Sequence, residues 1–566
     1  MVCRLSLSII FSTIVLVYFG IYSHKRPTQS KLQGRILKYT FEVDYMTGSP
    51  DGVENKGILS VNGMFPGPTI EGEVGDVLQI LVKNRISDGQ NTSIHWHGIE
   101  QRGTPFQDGT DMITQWPIRS GESRLYELKL EQWGTFWYHS HSGSQYTEGL
   151  FGPLIIRNRT ATYPEIFITL SDYYHSRAHQ NVAWYFSKEN VGGETPYPDA
   201  VLLNGKGRYP CDFAAQQNLT CLAERQTRDV FHVSQGTILL RLINASSRTT
   251  FNFSIDHHTL TTVEADGIDV SPVEVDLAQI GPGQRYSFLI SRSDITLESF
   301  LIRADAILYP SPGLGSVQLR CQNCTFPTVT AVLQYGKNTI NKINKFVASS
   351  VEVFNYSEIL PVPMEGQRYL NESSLLPFDR VPPANEADQV IILNARLDYN
   401  VHGRVGFTFN DTSFLVESLS EPPLYTVVKG GFLNESLPFV KIQYNSVIKL
   451  VINNYHDPHP FHLHGHSFWI VGKFPMRRDA SGEPIGYDEK EDGHKANYEN
   501  SCKRDTVLVP VDHVLIIVFI ADNPGVWLFH CHIDWHSFGG MAFIFNEAPD
   551  IVRENFVLSD EQKFRS

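Results

Sequence analysis

An all-β chain built from three related β-sandwiches is what this sequence predicts, and three observations carry that expectation. At 566 residues the chain has room for three or four compact units of roughly 150 residues each. Its text is a series of short β-branched runs broken by turn residues, such as KYTFEVDYMT, DVLQILVKNRI and VLIIVFIADNPGVWLF, with no sustained helical period. One phrase also recurs three times, as GDVLQILVKNRI, QGTILLRLINAS and NSVIKLVINNYH, each a turn, an apolar alternating strand and an asparagine. Such repetition signals related units. Helices are expected to be few and short.

Taken in order, residues 1–30 read as a targeting segment: Arg4 precedes an apolar run from Leu5 to Tyr22, which Lys25 and Arg26 close. The run is long for a signal-peptide core and barely long enough to span a bilayer, and no small-x-small cleavage site follows it. A cleaved signal and an uncleaved membrane anchor therefore both stay open. The first sandwich is expected over 31–160, from KYTFEVDYMT to GPLIIRNR, and the second over 161–340, from PEIFITLSDYYH onwards. Residues 341–386, rich in Asn, Pro, Glu and Ser, read as a linker. The third sandwich is expected over 387–566, from QVIILNARL through GMAFIFN.

A net charge of −14 argues against a nucleic-acid partner, which favours a basic face. Ten N-x-[ST] sequons, at Asn91, Asn158, Asn218, Asn244, Asn252, Asn323, Asn355, Asn371, Asn410 and Asn434, agree with a secreted or extracellular glycoprotein. Seven cysteines in an oxidising compartment imply disulfides and one sulfur with another task. Cys3 lies in the targeting segment. Cys211 with Cys221 and Cys321 with Cys324 are placed to pair, a crossed arrangement stays open, and Cys502 is unassigned. Cys531 stands among histidines.

Those histidines form four clusters: His95 and His97 in SIHWHGIEQ; His139 and His141 in GTFWYHSHSG; His459, His462, His464 and His466 in DPHPFHLHGHSFWIVG; and His530, His532 and His536 in WLFHCHIDWHSFGG. On a strand, His-x-His puts both imidazoles on one face. Four such groups without a metal would leave many buried polar rings poorly satisfied and repelling one another when protonated. Two histidines, a thiolate and a weak thioether make a blue-copper electron-transfer site, and His459, Cys531 and His536 with Met541 supply that set. Zinc is the rival on ligand type, but four histidine segments exceed one tetrahedral site and Cys531 has no C-x-x-C partner. If Cys531 binds one metal on one face of its strand, His530 and His532 reach a second site on the other.

HWHG, WYHSH, HPFHLHGH and HCHIDWH resemble the four copper-binding segments of the multicopper oxidases, most like those of fungal laccases, and the likeness runs over nearly the whole chain after the targeting segment. It implies three cupredoxin-like Greek-key sandwiches and four copper ions. Carried over by position, it gives His459, Cys531, His536 and axial Met541 to the type 1 copper, and His95 and His462 to the type 2 copper. His97, His139 and His532, then His141, His464 and His530, go to the two type 3 coppers. His466 falls outside the ligand pattern. The implied activity is one-electron oxidation of a small phenolic or aromatic reductant at the type 1 site, coupled to reduction of dioxygen to water, by a chain expected to be a monomer. Asp108 matches the family's acidic residue beside the cluster and is expected to deliver protons. Asp199 matches a carboxylate that takes the phenol's proton while His536 takes its electron.

A ferroxidase of iron uptake is the alternative enzyme, and would want carboxylates near the same edge, for which Glu417 and Glu421 are candidates. A cupredoxin repeat without turnover is the alternative outside catalysis, although no ligand of the pattern is missing. Trp116 stands where many members have a cysteine that anchors an interdomain disulfide, so that bridge is expected to be absent. Asp522 in ADNPG reads as structural.

Overall fold

The thrice-repeated phrase becomes the same strand in three sandwiches. Val77–Asn84 pairs in parallel with Ile36–Gly48, Ile238–Asn244 with Glu165–Tyr173, and Val447–Asn454 with Gln389–Val401. Each ends on an asparagine with no exposed surface, Asn84, Asn244 and Asn454. The side-chain N–H groups of Asn84 donate to the carbonyls of Gln90 and Ile118, those of Asn244 to Thr249 and Ile280, and those of Asn454 to Asp457, Val509 and Pro510. A short amide carries two donors, so one residue ties two loops to the end of the strand. The sequon at Asn244 is consumed by this role and is closed to a glycan.

This computed structural model describes residues 34–560 and 562, apart from 159–162, 191–192, 234–235, 293–298, 308–327, 336–349, 354–366 and 402–403. The expected targeting segment, Cys321, Cys324, Asn323, Asn355 and much of the expected linker lie outside the described residues. Among those described, two four-stranded sheets enclose a core that includes Phe41, Val82, Trp96 and Phe136. A seven- and a six-stranded sheet enclose Leu240, Phe253 and Phe288, and a six- and a five-stranded sheet enclose Leu450, Phe461, Ile517 and Trp527. Val77–Asn84 alternates buried and half-buried positions, as a strand with one covered face does. Val447–Asn454 is buried after its first residue, as a central strand covered on both faces should be. The chain is therefore all-β in class, and the longest described helix, Ala178–Tyr185, has 8 residues. No described helix is long and apolar enough to cross a membrane.

Cys211 and Cys221 form a disulfide, and Cys502 is free and buried in the core of the second sandwich. Trp116 packs against Tyr425 of the helix Pro423–Val428, ring to ring at 6.3 Å. An aromatic contact between the first and third units thus occupies the position where the resemblance led one to look for a bridging cysteine. The second and third units are joined by buried ion pairs. Arg285 pairs with Asp505 at 2.6 Å and Arg504 with Asp266 at 2.9 Å, and neither arginine is exposed at all.

Candidate metal centre

Two short strand pairs place most of the histidines. Ile94–His97 runs against Gly134–Ser140 with His95 opposite His139, and His459–Leu463 runs against Gly525–Cys531 with His462 opposite His530. Period-two alternation then sorts the motif HPFHLH: His459 projects to one face, while His462, followed by His464, projects to the other. The helix Asp534–Phe538 returns His536 towards Cys531.

Three ligand atoms meet on the first face. Cys531 Sγ lies 3.3 Å from His459 Nδ1 and 3.6 Å from His536 Nδ1, and the two nitrogens are 2.9 Å apart. Met541 is fully buried in the same core; its N–H donates to the His536 carbonyl at 3.0 Å and its carbonyl accepts the Cys531 N–H at 3.1 Å. On the other face, ligand atoms converge in three groups of three: His95, His97 and His462; His97, His139 and His532; and His141, His464 and His530. His97 Nδ1 lies 3.2 Å from His532 Nε2, and His464 Nε2 lies 3.1 Å from His530 Nε2. His530 and His532 flank Cys531 at the end of the strand Gly525–Cys531, so adjacent residues join the two sets.

The electrostatics fit a metal. Burial, reinforced by neighbouring imidazoles, holds His97, His139, His462 and His530 well below the usual imidazole range. Burial likewise pushes His459 and His532 down to about 3 and His464 down to about 4. Neutral rings keep a lone pair for a cation, and the Nε2 atoms of His95, His139 and His462 are buried with no hydrogen-bond partner among the described residues. Such polar atoms are costly unless something pairs with them. Burial raises the Cys531 thiol well above its usual value, so a metal must displace that proton to bind. A Cys-His-His set beside eight imidazoles is the donor chemistry of copper.

The back nitrogens of the cluster are held by two aspartates. The Asp108 carbonyl takes His95 Nδ1 at 2.8 Å, and its carboxylate lies 3.1 Å from His464 Nδ1 and accepts the Thr110 hydroxyl at 2.5 Å. Burial alone would raise the Asp108 carboxyl, but His464 and His95 outweigh it and hold the group well below the usual range. The Asp505 carbonyl takes His462 Nδ1 at 2.9 Å, and Asp505 Oδ1 lies 3.4 Å from His97 Nε2. Arg285 donates to both Asp505 oxygens, at 2.7 and 2.6 Å. Asp505 and Arg285 carry no motif signal; both stand in ordinary strand text.

The remaining expected residues fall as follows. His466 lies 3.0 Å from the Glu547 carboxylate, away from the ligand groups. Asp199 accepts the His175 N–H at 2.8 Å, and no hydrogen bond or ion pair joins it to His536. Asp522 pairs with Arg102 at the surface. Glu421 is bound by Lys429 and Thr426. Glu417, expected near the substrate edge, instead lines a cavity of about 290 Å³ whose inner wall includes His139, His141, His530 and His532. Near the thiolate set are two charges that the motifs did not flag, Asp457 beside Cys531 and Arg248 beside His536, with Glu194 next to Asp457. Burial pushes the Asp457 carboxyl up to about 6, against the pull of Arg248 and with the help of Glu194. Arg248 donates to the Thr195 hydroxyl and stacks 4.0 Å over Tyr197.

Sequence models of the multicopper oxidase family match residues 42–161, 165–338 and 414–550. Laccase-4 of Trametes villosa is 34% identical over 527 residues, covering 88% of this chain and 87% of its own. The iron transport multicopper oxidase fetC of Epichloe festucae is 30% identical over 549 residues, covering 92% and 78%. The crystal structure of the laccase from Botrytis aclada superposes with a TM-score of 0.76 at 28% identity, covering 94% of this chain and 91% of that one. On the three matched segments, these relatives and the converging histidines, the chain belongs to the multicopper oxidase family.

Proposed function

We propose that the protein is a laccase-type oxidase, taking single electrons from a phenolic or related aromatic reductant and passing four of them to dioxygen to give two waters. The observation that carries this reading is the His459–Cys531–His536 set joined, through the two neighbours of Cys531, to a cluster of eight histidines. In this reading His459, Cys531 and His536, with Met541 beside them, would hold the type 1 copper, His95 and His462 the type 2 copper, and His97, His139 and His532 and then His141, His464 and His530 the two type 3 coppers. Bound copper supplies the reversible one-electron chemistry. The chain supplies neutral imidazoles, a covalent path through Cys531 to His530 and His532, and the carbonyl and carboxylate contacts of Asp108 and Asp505 that fix the ring orientations. Asp108 passes protons on the side of His95 and His464. Asp199 spends Oδ2 on His175, and its Oδ1 is assigned the phenol's proton.

Iron oxidation is the second reading, because a relative of comparable identity is named as an iron transport oxidase. Two observations favour the phenol. Glu421 is engaged by Lys429, and the carboxylates that do lie near the thiolate set share their ground with the Arg248 guanidinium, a poor neighbour for a hard dication. Export through the secretory route accords with the apolar N-terminal run, the exposed sequons at Asn91, Asn218, Asn371 and Asn434, and the disulfide. Dioxygen uptake by the copper-loaded protein, compared between a methoxy-substituted phenol and Fe(II), tests the assignment. The expected kcat/KM is at least about tenfold higher for the phenol, a difference of about 1.4 kcal/mol; the reverse order makes the protein a ferroxidase.

A further inference from the structure

Reducing one dioxygen breaks the O–O bond and forms four O–H bonds, consuming four protons with the four electrons. Asp108, engaged by Thr110 and close to two ring nitrogens, is one acid beside the cluster. A cavity of about 290 Å³ lies against His139, His141, His530 and His532. At roughly 30 Å³ per molecule it has room for several waters. Three carboxyl groups line it, and two of them, Asp111 and Asp534, each have one oxygen that is buried and takes no hydrogen bond among the described residues. The exposed rim carries Glu417.

Asp534 lies two residues from His532 and His536, and its state is bound up with theirs. Asp111 is separate. It stands in the turn after Asp108, its Oδ2 accepts the Ser142 hydroxyl at 2.7 Å, and Ser142 follows His141. No ammonium or guanidinium pairs with it among the described residues, and the titratable groups around it are Asp534, Glu417, Tyr146 and His141 across the cavity and Tyr126 behind it. Burial without a counter-charge pushes its carboxyl up to about 6, in spite of the Ser142 and Met112 hydrogen bonds. A half-buried acid that gains and loses its proton near neutral pH is suited to proton transfer.

We infer that Asp111 is a proton-delivering residue for dioxygen reduction, acting through cavity water on the face formed by His139, His141, His530 and His532 and reloaded from solvent at the Glu417 rim. In each cycle the Asp111 O–H bond breaks, its proton travels through water to the oxygen being reduced, the electrons arrive separately through Cys531, and the Ser142 hydroxyl steadies the carboxylate left behind. A proton from solvent then restores the acid. The inference rests on dioxygen as electron acceptor and holds whether the reductant is a phenol or iron.

The test uses the copper-loaded full chain, with hexacyanoferrate(II) as an outer-sphere reductant so that a failed phenol assignment cannot imitate a failed relay. In Asp111→Asn, anaerobic reduction of the thiolate site should keep the wild-type rate, while reoxidation of the reduced protein by dioxygen at pH 7 slows at least about tenfold with a larger solvent isotope effect. Asp111→Glu should recover most of the rate. The infrared difference spectrum between wild type and Asp111→Asn, taken on the resting proteins, should show one protonated carboxyl band that disappears near pH 6. If Asp111→Asn fails to fold, Ser142→Ala should move the pH profile of reoxidation upward, because the carboxylate loses its hydrogen bond. Reoxidation within about twofold of wild type at every pH, a difference spectrum without that band, or an unmoved profile in Ser142→Ala would each overturn the inference.

Discussion

The thiolate set and the histidine cluster are built in opposite ways. His459, Cys531 and His536 come from two neighbouring strands and one short helix of the third sandwich, and aromatic rings pack directly on two of them: Phe407 on the His536 ring at 4.1 Å and Phe461 on His459 at 5.6 Å. The cluster draws its histidines from the first and third units, and the second unit, which contributes no imidazole, holds Asp505 through Arg285. One site is local and the other exists only where three units meet. Anything that loosens the contacts between units should therefore disturb the cluster before it disturbs the thiolate set.

The largest effect breaks the link between the two sites. Cys531→Ser removes the sulfur that is unique to the thiolate set and the midpoint of the path to the cluster. Turnover of any reductant should fall below detection, and the intense visible absorption of a copper thiolate should vanish. Cluster histidines keep all their contacts in this variant, so copper analysis should show loss of about one ion per chain; loss of all would mean that the local site nucleates the other. Next comes Arg285→Met, which leaves Asp505 buried without its bidentate partner. Breaking a buried pair in this way costs about 3–5 kcal/mol. Calorimetry should show a clear drop in stability, and the variant should lose cluster copper while keeping its visible absorption. Equal loss from both sites would contradict the division drawn above.

The contact between the first and second units offers a pH test. Asp51 accepts His175 Nε2 at 2.7 Å. Burial alone would lower the His175 ring, but the hydrogen bond and charge of Asp51, with that of Asp199, raise it above the ordinary value. A raised folded-state value means that the stabilisation is fully present below the unfolded value of about 6.5 and is lost as pH climbs through the folded one. Thermal stability should therefore decline above neutrality, and His175→Gln should flatten that decline. Below pH 6 this variant should lose about 1.5–3 kcal/mol, the range for a hydrogen bond to a charged group. A wild-type profile in the variant would assign the decline to other groups.

The same contrast separates what was legible in the sequence from what was not. The histidines and Cys531 stand in short strand motifs whose period of two sorts them by face, so HCH and HPFHLH indicated which side chains would gather into two neighbouring groups. The repeated strand was legible for a similar reason, although its terminal asparagine became intelligible only once Asn84, Asn244 and Asn454 were seen tying loops. Arg285 and Asp505 meet across 220 positions, and nothing local marks a pair whose meaning comes from the contact between sandwiches. Glu417 was legible only as a residue type in an approximate region, and the cavity it lines, walled by Cys531 and Phe538 as well as by cluster histidines, was not. Motifs report what neighbouring residues do together, and the supports of an interface site are not neighbours.

The smallest expected effect refines the local site alone. Met541 clamps both His536 and Cys531 through its backbone, and a substitution that preserves volume leaves those bonds in place, since Met and Leu exchange in cores at little cost. Met541→Leu should therefore keep stability, visible absorption and copper content, and change only the side chain offered to the metal. A thioether donates weakly to the oxidised ion where a methyl does not, so the potential of the thiolate site should rise. Each tenfold relative loss of affinity for the oxidised form corresponds to about 59 mV for one electron, and a shift of that size is within reach of a spectroelectrochemical titration. The cluster should be unaffected, because Met541 belongs to the third sandwich alone. An unchanged potential would remove Met541 from the ligand set and leave its backbone clamp as its whole contribution. A raised potential accompanied by altered cluster spectra would show that the two sites are coupled through more than Cys531.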